Sequence, residues 1–235
     1  MIKLSILFFC KKNDRFSNLC KNFLKKKFDK VKIIESDRSK KKKLISLKWT
    51  GDLILSFRSH IILKKNIIDK AKIACVNFHP STPKYRGLGG INYAIYKNDE
   101  YFGCTAHLIT SNKIDCGKII NVKKFRLSKQ KNLKDLLNKT NLNLYNQFRQ
   151  IVPNLINQKK ISALSKAMIN EKWSKIYHNK RKLDDFYIIH KNEKNLRNKI
   201  RATYLNNKYS PYYFFNNKKK KLTKKDIRKL LNGRI

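Results

Sequence analysis

Short, mainly apolar runs alternate with segments of helical periodicity in the N-terminal part of the chain, and this alternation limits the fold more than any other feature. Apolar residues spaced three and four apart predict a helix over 17–28, and a second helical turn is expected near 66–72. The runs that predict strands are 2–9, 31–34, 52–56 and 73–78, and the run at 52–56 has the pattern of a buried parallel strand. Strands that alternate with helices indicate an α/β protein with a doubly wound, mostly parallel sheet. Ligands bind at the carboxyl ends of the strands in such sheets, so we expect a functional site there.

The pattern changes after residue 80. A loop rich in proline and glycine is expected over 79–90, followed by a helix over 91–98, strands over 103–109 and 119–125, and a long amphipathic helix over 132–156. We therefore predict a main domain over 1–158 and a small, basic α+β extension over 159–235 that contains a short hairpin and a terminal helix. The aromatic residues at 209–215 are expected in a β element that covers an apolar face.

The chain is strongly basic, with 57 Lys+Arg against 15 Asp+Glu and a formal net charge of +42. Such a balance suggests nucleic acid or an anionic membrane as a partner. Lysine supplies 46 of the cations and arginine, the bidentate reader of phosphates and bases, only 11. A compositional drift toward lysine therefore explains the charge at least as well. Residues 51–120 carry a net charge of only +5 yet contain six of the seven glycines and three of the five histidines, so we expect the functional site there.

Cysteine usage and the N-terminus bear on location. The five cysteines form neither a CxxC pair nor a secreted disulfide framework, which favours reduced thiols and a cytoplasmic protein. The first apolar run ends at Lys11 and Lys12 and has no small-residue cleavage site, so it predicts a strand, without insertion into a membrane. No histidine or cysteine pair has the spacing of a metal site, and we expect no metal.

Three side chains in the lysine-poor window form a set that can carry chemistry. Asn77 and His79 lie two apart at the end of a predicted strand and point to the same side, and Pro80 is expected to end the strand and place His79 in a loop. Asp115 is the single acidic residue between two later predicted strands. An amide and a protonated imidazole can stabilise a carbonyl oxygen as it becomes an oxyanion, and a carboxylate can accept the proton of an attacking amine.

Taken singly, each of these residues also fits a structural role. The Asn-x-His-Pro stretch could be a strand-ending turn, and Asp115 could stabilise a turn before Gly117. His107, which alternates with Thr105 on a predicted strand, could be a hydrogen-bonded histidine of the core.

Three ordered sequence blocks resemble those of the folate-dependent formyltransferases. The blocks are NFHPSTPKYRG at 77–87, GCTAH at 103–107 and DCGKII at 115–120, and they correspond to that family's Asn-x-His-Pro, Gly-x-Thr-x-His and Asp-x-Gly-x-Ile motifs. The resemblance implies a Rossmann-like catalytic domain that transfers a formyl group from 10-formyltetrahydrofolate to a primary amine. It also implies that Asn77 and His79 polarise the formyl oxygen and that Asp115 accepts the proton, with Thr105 and His107 behind them.

The same resemblance assigns two binding segments. The residues it places around the folate are Phe57, Arg58, Ser59, His60, Ile61, Ile62, Leu63, Ser111, Asn112 and Ile114. The residues it places near the acceptor are Lys84, Tyr85, Arg86 and Gly87.

The resemblance leaves three acceptors open: a nucleotide-linked amino sugar, methionyl-tRNA and glycinamide ribonucleotide. The tail carries an Ile-Arg-Ala segment before an aromatic and proline-containing strand, and it resembles the extension of amino-sugar N-formyltransferases. A tail of about seventy-five residues is also short for the C-terminal barrel that the resemblance assigns to the tRNA enzymes. We therefore expect a nucleotide sugar, with a homodimer left open. The rival from a different class is a non-catalytic, basic RNA-binding protein on the same scaffold.

Overall fold

The computed structural model describes residues 2–37, 47–127, 132–205 and 209–231. Its elements, in chain order, are β1 (Ile2–Lys11), α1 (Arg15–Lys27), β2 (Phe28–Ser36), β3 (Gly51–Phe57), α2 (Lys65–Ile68), β4 (Ala71–His79), β5 (Arg86–Gly87), α3 (Gly90–Tyr96), β6 (Tyr101–Leu108), β7 (Ile119–Arg126), α4 (Leu133–Ile151), α5 (Gln158–Lys166), β8 (Tyr177–His178), α6 (Lys180–Phe186), α7 (Leu196–Thr203), β9 (Tyr212–Phe215), β10 (Lys218–Lys221) and α8 (Lys224–Leu231). The sequence predicts a lysine-rich loop that extends through residue 43. From residue 38 on, this loop lies outside the described residues. Within the described ranges, no helix is both long enough and apolar enough to cross a membrane.

Six strands form the central sheet in the order β2-β1-β3-β4-β6-β7. Strand β1 runs parallel to both β2 and β3, and β3 runs parallel to β4, whereas β6 pairs antiparallel with β4. Helices α1, α4 and α5 pack on one face of the sheet and α2 on the other. The predicted doubly wound, mostly parallel α/β fold is therefore confirmed.

Burial on both faces explains the apolar runs at the centres of β1 and β3. In β1, Phe8 packs toward α4, whereas Leu7 belongs to the apolar cluster on the opposite face. Phe148 of α4 lies at the centre of the first cluster. Its ring centroid is 4.8 Å from that of Phe78 and 5.6 Å from those of Phe8 and Phe57. Burying each such side chain contributes about 1.5–3 kcal/mol.

The long helix predicted over 132–156 is interrupted near its end. Helix α4 ends at Ile151 and a short 3₁₀ turn, Val152–Asn154, follows. Pro153 lies in this turn and cannot donate the backbone hydrogen bond that a continuing α-helix needs. Helix α5 then begins after Asn157, whose side chain accepts a hydrogen bond from the Lys160 backbone nitrogen.

The C-terminal region contains the predicted hairpin and terminal helix. Strands β9 and β10 pair antiparallel, and α8 follows them. Tyr212 is buried, but Tyr213, Phe214 and Phe215 are 37%, 56% and 58% exposed. The prediction that the aromatic segment covers an apolar face is wrong for these three residues, because a two-stranded ribbon leaves much of its own surface open.

The chain divides into two compact units, and neither is continuous in sequence. The first comprises Met1–Lys84, Gly103–Lys124 and Thr140–Ser174, and the second comprises Tyr85–Phe102, Phe125–Lys139 and Lys175–Ile235. Apolar residues such as Tyr85, Ile95 and Phe102 form the core of the second unit. The two units are defined by their compactness and not by function. The predicted functional division at residue 158 therefore stays a prediction.

Candidate active site

Strand β4 directs Asn77 and His79 to the face of the sheet that lies away from α4. Phe78, between them, packs against Phe148 of that helix. Because side chains alternate along a strand, the two neighbours of Phe78 point to the opposite face. The predicted placement of the amide and the imidazole on one side follows from this alternation.

Strand β6 adds two further side chains to this face. In the antiparallel pair, His107 lies opposite Asn77, and Thr105 lies opposite His79. The Thr105 hydroxyl donates a hydrogen bond to the Ser81 carbonyl oxygen at 2.7 Å and holds the turn that follows β4. His79 is the last residue of β4. The prediction that the following proline places His79 in a loop is wrong, because pairing with Thr105 keeps His79 in the strand.

A tight turn between β6 and β7 carries Asp115. The backbone of Asp115 has a φ of +45°, in the left-handed region that few residues other than glycine adopt. The Leu108 backbone nitrogen donates to the Lys118 carbonyl oxygen at 2.9 Å and closes the turn. A Cβ atom at Gly117 would lie 1.7 Å from the Leu108 carbonyl oxygen. Only glycine permits this close approach, which fixes the position of Asp115.

The Asp115 carboxylate contacts both imidazoles of this face. Its Oδ2 lies 3.4 Å from Nδ1 of His79, and its Oδ1 lies 3.4 Å from Nε2 of His107. The Asn77 amide nitrogen donates toward the same Oδ1 at 3.4 Å. The structure thus brings the three predicted catalytic residues together and places His107 in contact with two of them.

His107 is oriented by the backbone carbonyl group of the next residue. Its Nδ1 lies 2.9 Å from the Leu108 carbonyl oxygen, so Nδ1 carries the proton of the neutral ring. Its Nε2 is then free to accept a hydrogen bond from the Asn77 amide nitrogen, which lies 3.1 Å away. This contact fixes the rotation of the Asn77 amide.

The arrangement suits proton transfer. His79, His107 and Asp115 are all buried, and a buried carboxylate is costly unless polar groups surround it. Here the Asn77 amide and the His79 imidazole face the carboxylate, an arrangement that can hold a positive charge on an imidazole and exchange protons with a bound amine. Among the residues that the structure describes, no group of three or more His, Cys, Asp or Glu is arranged to hold a metal ion.

The predicted folate segment follows β3 directly, but several of its side chains point into the protein. Phe57 and Leu63 belong to the buried apolar clusters. Arg58 has a φ of +54° and places its guanidinium 3.4 Å from the Asp14 carboxylate. Burial lowers the pKa of Arg58, and Asp14 acts in the opposite direction. The segment can therefore meet a ligand through backbone atoms and through the exposed Ile62, and its role stays a prediction.

Ser36, at the end of β2, fixes the same segment, and sequence reasoning missed it. The Ser36 hydroxyl donates to the Cys10 carbonyl oxygen at 3.1 Å and accepts from the His60 backbone nitrogen at 2.9 Å. The Ser59 hydroxyl also donates to Ser36, at 3.2 Å, and accepts from the Ile61 backbone nitrogen. No local pattern reveals this role, because Ser36 and His60 are 24 residues apart.

The remaining predicted folate residues lie in the turn before Asp115. The Ser111 hydroxyl accepts a hydrogen bond from the Lys113 backbone nitrogen at 3.3 Å. Asn112 is exposed and Ile114 is half-buried. Their contact with a folate stays a prediction.

The predicted acceptor segment begins with an exposed lysine and a buried tyrosine. Lys84 is exposed, whereas Tyr85 is buried in the core of the second unit and donates its hydroxyl to Asp99 at 2.7 Å. Burial raises the pKa of Tyr85. The Tyr85 side chain therefore has a structural role.

The second half of the acceptor segment forms strand β5. The Arg86 guanidinium lies 5.4 Å above the ring of Tyr177, its partner in β8. Gly87 pairs with His178 and has a φ of +95°, so this position suits glycine. Lys84 and Arg86 are the cationic side chains of the segment, and their binding role also stays a prediction.

Trp173 is a neighbour of the site that sequence reasoning missed. Its indole Nε1 donates to the Gly117 carbonyl oxygen at 2.7 Å. Its ring centroid lies 5.0 Å from that of His107 and 5.9 Å from that of His79. Trp173 is one of two tryptophans in the chain, but it lies in an irregular segment where no periodicity predicts its partners.

The fold, the half-buried amide and the buried imidazole and carboxylate define an α/β protein suited to acid–base chemistry on a carbonyl group. Residues 11–152 match the sequence profile of the family described as formyl transferase. This match spans more than half of the chain, and the chain belongs to the formyl transferase family.

Curated relatives match over a shorter stretch. A methionyl-tRNA formyltransferase from Borrelia garinii subsp. bavariensis is 39% identical over 77 residues, which cover 32% of this chain and 24% of that protein. The chain thus spans about a quarter of the length of the curated relatives it matches.

Solved structures match almost end to end. A sugar N-formyltransferase from a Shewanella species superposes with a TM-score of 0.71 at 15% identity, over 93% of this chain and 96% of that one. An N-formyltransferase from Helicobacter canadensis, in complex with folinic acid and dTDP-3-aminofucose, superposes with a TM-score of 0.65 at 22% identity, over 93% of this chain and 86% of that one. At these identities the likeness establishes a shared fold.

Proposed function

We propose that the chain transfers the formyl group of 10-formyltetrahydrofolate to a primary amine. The observation that carries the proposal is the contact of the Asp115 carboxylate with His79, beside the Asn77 amide, on one buried face of the sheet. Membership of the formyl transferase family supports the reaction class. The folinic acid in the structurally similar Helicobacter canadensis protein supports a folate as the donor.

The reaction needs an oxyanion stabiliser and a proton acceptor. The acceptor nitrogen attacks the formyl carbon and forms the new C–N bond, and the carbonyl oxygen takes up negative charge. The Asn77 amide and a protonated His79 stabilise this oxygen, and removing one such donor typically costs about 10²–10³-fold in kcat. Asp115 stabilises the imidazolium and accepts the proton of the attacking nitrogen. The bond from carbon to N10 then breaks, and N10 takes up that proton, so tetrahydrofolate leaves.

His107 prepares the amide for this role. One hydrogen of the Asn77 amide is held by Nε2 of His107, and the other points toward Asp115. The contact of the second hydrogen with Asp115 is long, at 3.4 Å, so a formyl oxygen bound beside Asp115 can share this hydrogen without rotation of the amide. Because the first is held, the amide reaches the oxygen with little loss of rotational freedom.

We propose a nucleotide-linked amino sugar as the acceptor. The fold matches a sugar N-formyltransferase over 93% of this chain and 96% of that one, and the Helicobacter canadensis complex contains dTDP-3-aminofucose. Lys84 and Arg86 provide cations that suit a diphosphate.

Methionyl-tRNA is the second candidate acceptor. The observation that favours it is the 39% identity to the Borrelia garinii enzyme over 77 residues. The excess of lysine over the whole chain also suits a polyanionic acceptor.

The proposal is tested with the purified chain, 10-formyltetrahydrofolate and a panel of amines: dTDP-linked 3- and 4-amino sugars, methionyl-tRNA and glycinamide ribonucleotide. We expect transfer to a dTDP-linked amino sugar, and a loss of kcat of about 10²–10⁴-fold in His79→Ala and in Asp115→Asn. His190→Ala, a change at an exposed histidine, is the matched control and should keep full activity.

Each outcome of the panel decides something different. Undiminished turnover in both His79→Ala and Asp115→Asn would overturn the catalytic roles. Turnover with methionyl-tRNA and with no other amine would show that methionyl-tRNA, the second candidate, is the acceptor. Absence of turnover with every amine, together with RNA binding that weakens steeply with salt and is indifferent to His79→Ala, would favour the RNA-binding alternative.

A further inference from the structure

A short segment that follows α5 is attached to the site at three points. The segment comprises residues 171–174, and we call it the site strap. The Glu171 carboxylate pairs with Lys124 of β7 at 2.5 Å. The Trp173 indole nitrogen donates to the Gly117 carbonyl oxygen at 2.7 Å, and the Ser174 backbone nitrogen donates to the Pro83 carbonyl oxygen at 3.0 Å.

Two of the three attachment points lie close in sequence to the proposed catalytic residues. Gly117 lies two residues after Asp115, in the same turn. This turn leaves no room for a side chain at position 117. Pro83 lies four residues after His79, in the turn that the Thr105 hydroxyl holds through Ser81. The site strap, which lies outside the sheet, therefore connects the turn that carries Asp115 to the turn that follows His79.

The Trp173 ring meets the imidazoles edge to face. The planes of Trp173 and His107 are 84° apart at a centroid distance of 5.0 Å, and those of Trp173 and His79 are 62° apart at 5.9 Å. Such geometry is favourable between aromatic rings, and it limits the rotation of both imidazoles. When an imidazole is protonated, the electrons of the neighbouring indole also attract it.

We propose that Trp173 is a positioning residue of this site, which holds Asp115 through Gly117 and holds the imidazole planes of His79 and His107. The proposal rests on the proposed formyl transfer for its kinetic consequence. Trp173 touches neither the formyl group nor the amine in this scheme. It acts through the carboxylate and the imidazoles, so its loss should slow the chemical step more than it weakens substrate binding.

The kinetic test compares Trp173→Phe with Trp173→Ala. Phenylalanine keeps an aromatic ring against the imidazoles but cannot donate to Gly117, whereas alanine removes both contacts. We expect kcat to fall by about 10–100-fold in Trp173→Ala, because small misplacement of reacting groups costs this much. The kcat of Trp173→Phe should lie between those of Trp173→Ala and the wild type. KM for 10-formyltetrahydrofolate should change by less than about threefold, or about half a log unit.

Two controls separate positioning from general damage. Trp49→Phe changes the other tryptophan, which packs on the cluster around Leu7 and Phe9, and should keep wild-type kcat. Urea unfolding shows whether each Trp173 variant is folded under assay conditions. Wild-type kcat in a folded Trp173→Ala would overturn the proposal, as would a rise of KM with kcat unchanged.

A fluorescence measurement at one fixed pH tests the ring contacts without requiring activity. In Trp49→Phe, Trp173 is the single tryptophan, so the emission reports on the surroundings of Trp173. The ring centroids of His107 and His79 lie 5.0 Å and 5.9 Å from that of Trp173. We expect the emission intensity to change when His79→Asn or His107→Asn is added to Trp49→Phe, because each substitution removes a ring that contacts the indole.

The same measurement distinguishes the two proposals. If no amine is formylated but the emission changes with both histidine substitutions, the proposed function fails and the positioning contacts stand. Emission that neither histidine substitution alters would refute the role of Trp173 even in an active enzyme.

Discussion

At the scale of single residues, the site depends on a backbone that only a few residue types tolerate. Asp115 adopts a φ of +45°, a conformation with a cost of about 1–3 kcal/mol that surrounding contacts must offset. The turn offsets it by packing Gly117 against the Leu108 carbonyl group and by the Leu108–Lys118 hydrogen bond. The position of the carboxylate is therefore a property of its neighbours as much as of Asp115.

The substitution Gly117→Ala tests this dependence. The new methyl group would lie 1.7 Å from the Leu108 carbonyl oxygen, so the backbone must move. We expect a loss of about 1–3 kcal/mol in the free energy of unfolding and a fall in kcat of about 100-fold, because Asp115 moves with the turn. Urea unfolding and single-turnover transfer measure the two effects. The neighbouring Lys118→Ala, at an exposed side chain, should leave both unchanged; equal behaviour of the two variants would contradict the argument.

At the scale of elements, the first helix and the predicted folate segment share one carboxylate. Asp14 precedes α1 and accepts hydrogen bonds from the backbone nitrogen and the hydroxyl of Ser17, each at 3.0 Å. Its other oxygen lies 3.4 Å from the buried Arg58 guanidinium. Asp14 therefore caps a helix and neutralises the cation that anchors the segment after β3.

Replacing Asp14 should cost more than the loss of a helix cap. Asp14→Ala removes the cap, worth about 1 kcal/mol, and leaves the largely buried Arg58 guanidinium without its carboxylate partner, so the total loss should reach about 2–4 kcal/mol. Asn157→Ala, which removes only the cap of α5, should cost about 1 kcal/mol. Urea unfolding compares the two. The double variant Asp14→Ala/Arg58→Met should recover part of the loss, and equal destabilisation by Asp14→Ala and Asn157→Ala would show that the ion pair contributes nothing.

At the scale of the whole molecule, self-repulsion is the main consequence of the charge. Fifteen acidic residues cannot neutralise 57 basic ones, and a net charge far from zero destabilises the compact state. Salt screens this repulsion over distances that fall from about 30 Å at 0.01 M to about 10 Å at 0.1 M. The protein should therefore be more stable when salt is added.

We expect the midpoint of thermal unfolding to rise between about 0.01 M and about 0.1 M sodium chloride, as the screening length shortens. Each kcal/mol gained should appear as about 2–4 °C for a chain of this size. Differential scanning calorimetry gives the midpoint, and sucrose at equal osmolality is the control because it does not screen charge. A midpoint that falls with salt would show that attractive ion pairs outweigh the repulsion.

Much of the fold could be predicted from the sequence because its signals are local. The predicted strand of residues 52–56 has three consecutive apolar residues at 53–55, and the structure buries them on both faces of the sheet in β3. The end of α4 was predicted less well, since Pro153 interrupts a pattern whose apolar residues continue beyond it. The exposed Phe214 and Phe215 show the limit of composition, because hydrophobicity alone does not tell which surface a ribbon leaves open.

The sequence by itself determined the α/β class, the strand ends that carry Asn77 and His79, and the blocks that indicate the formyl transferase family. The first two follow from residue spacing and from strand alternation, which are properties of the local chain, and the third is a resemblance carried by three ordered motifs. Only the tertiary structure decided that His79 stays in β4, that Arg58 turns to Asp14, and that Trp173 packs against both imidazoles. Each of these contacts joins residues distant in sequence, and their partners are selected by burial and charge pairing in the folded chain.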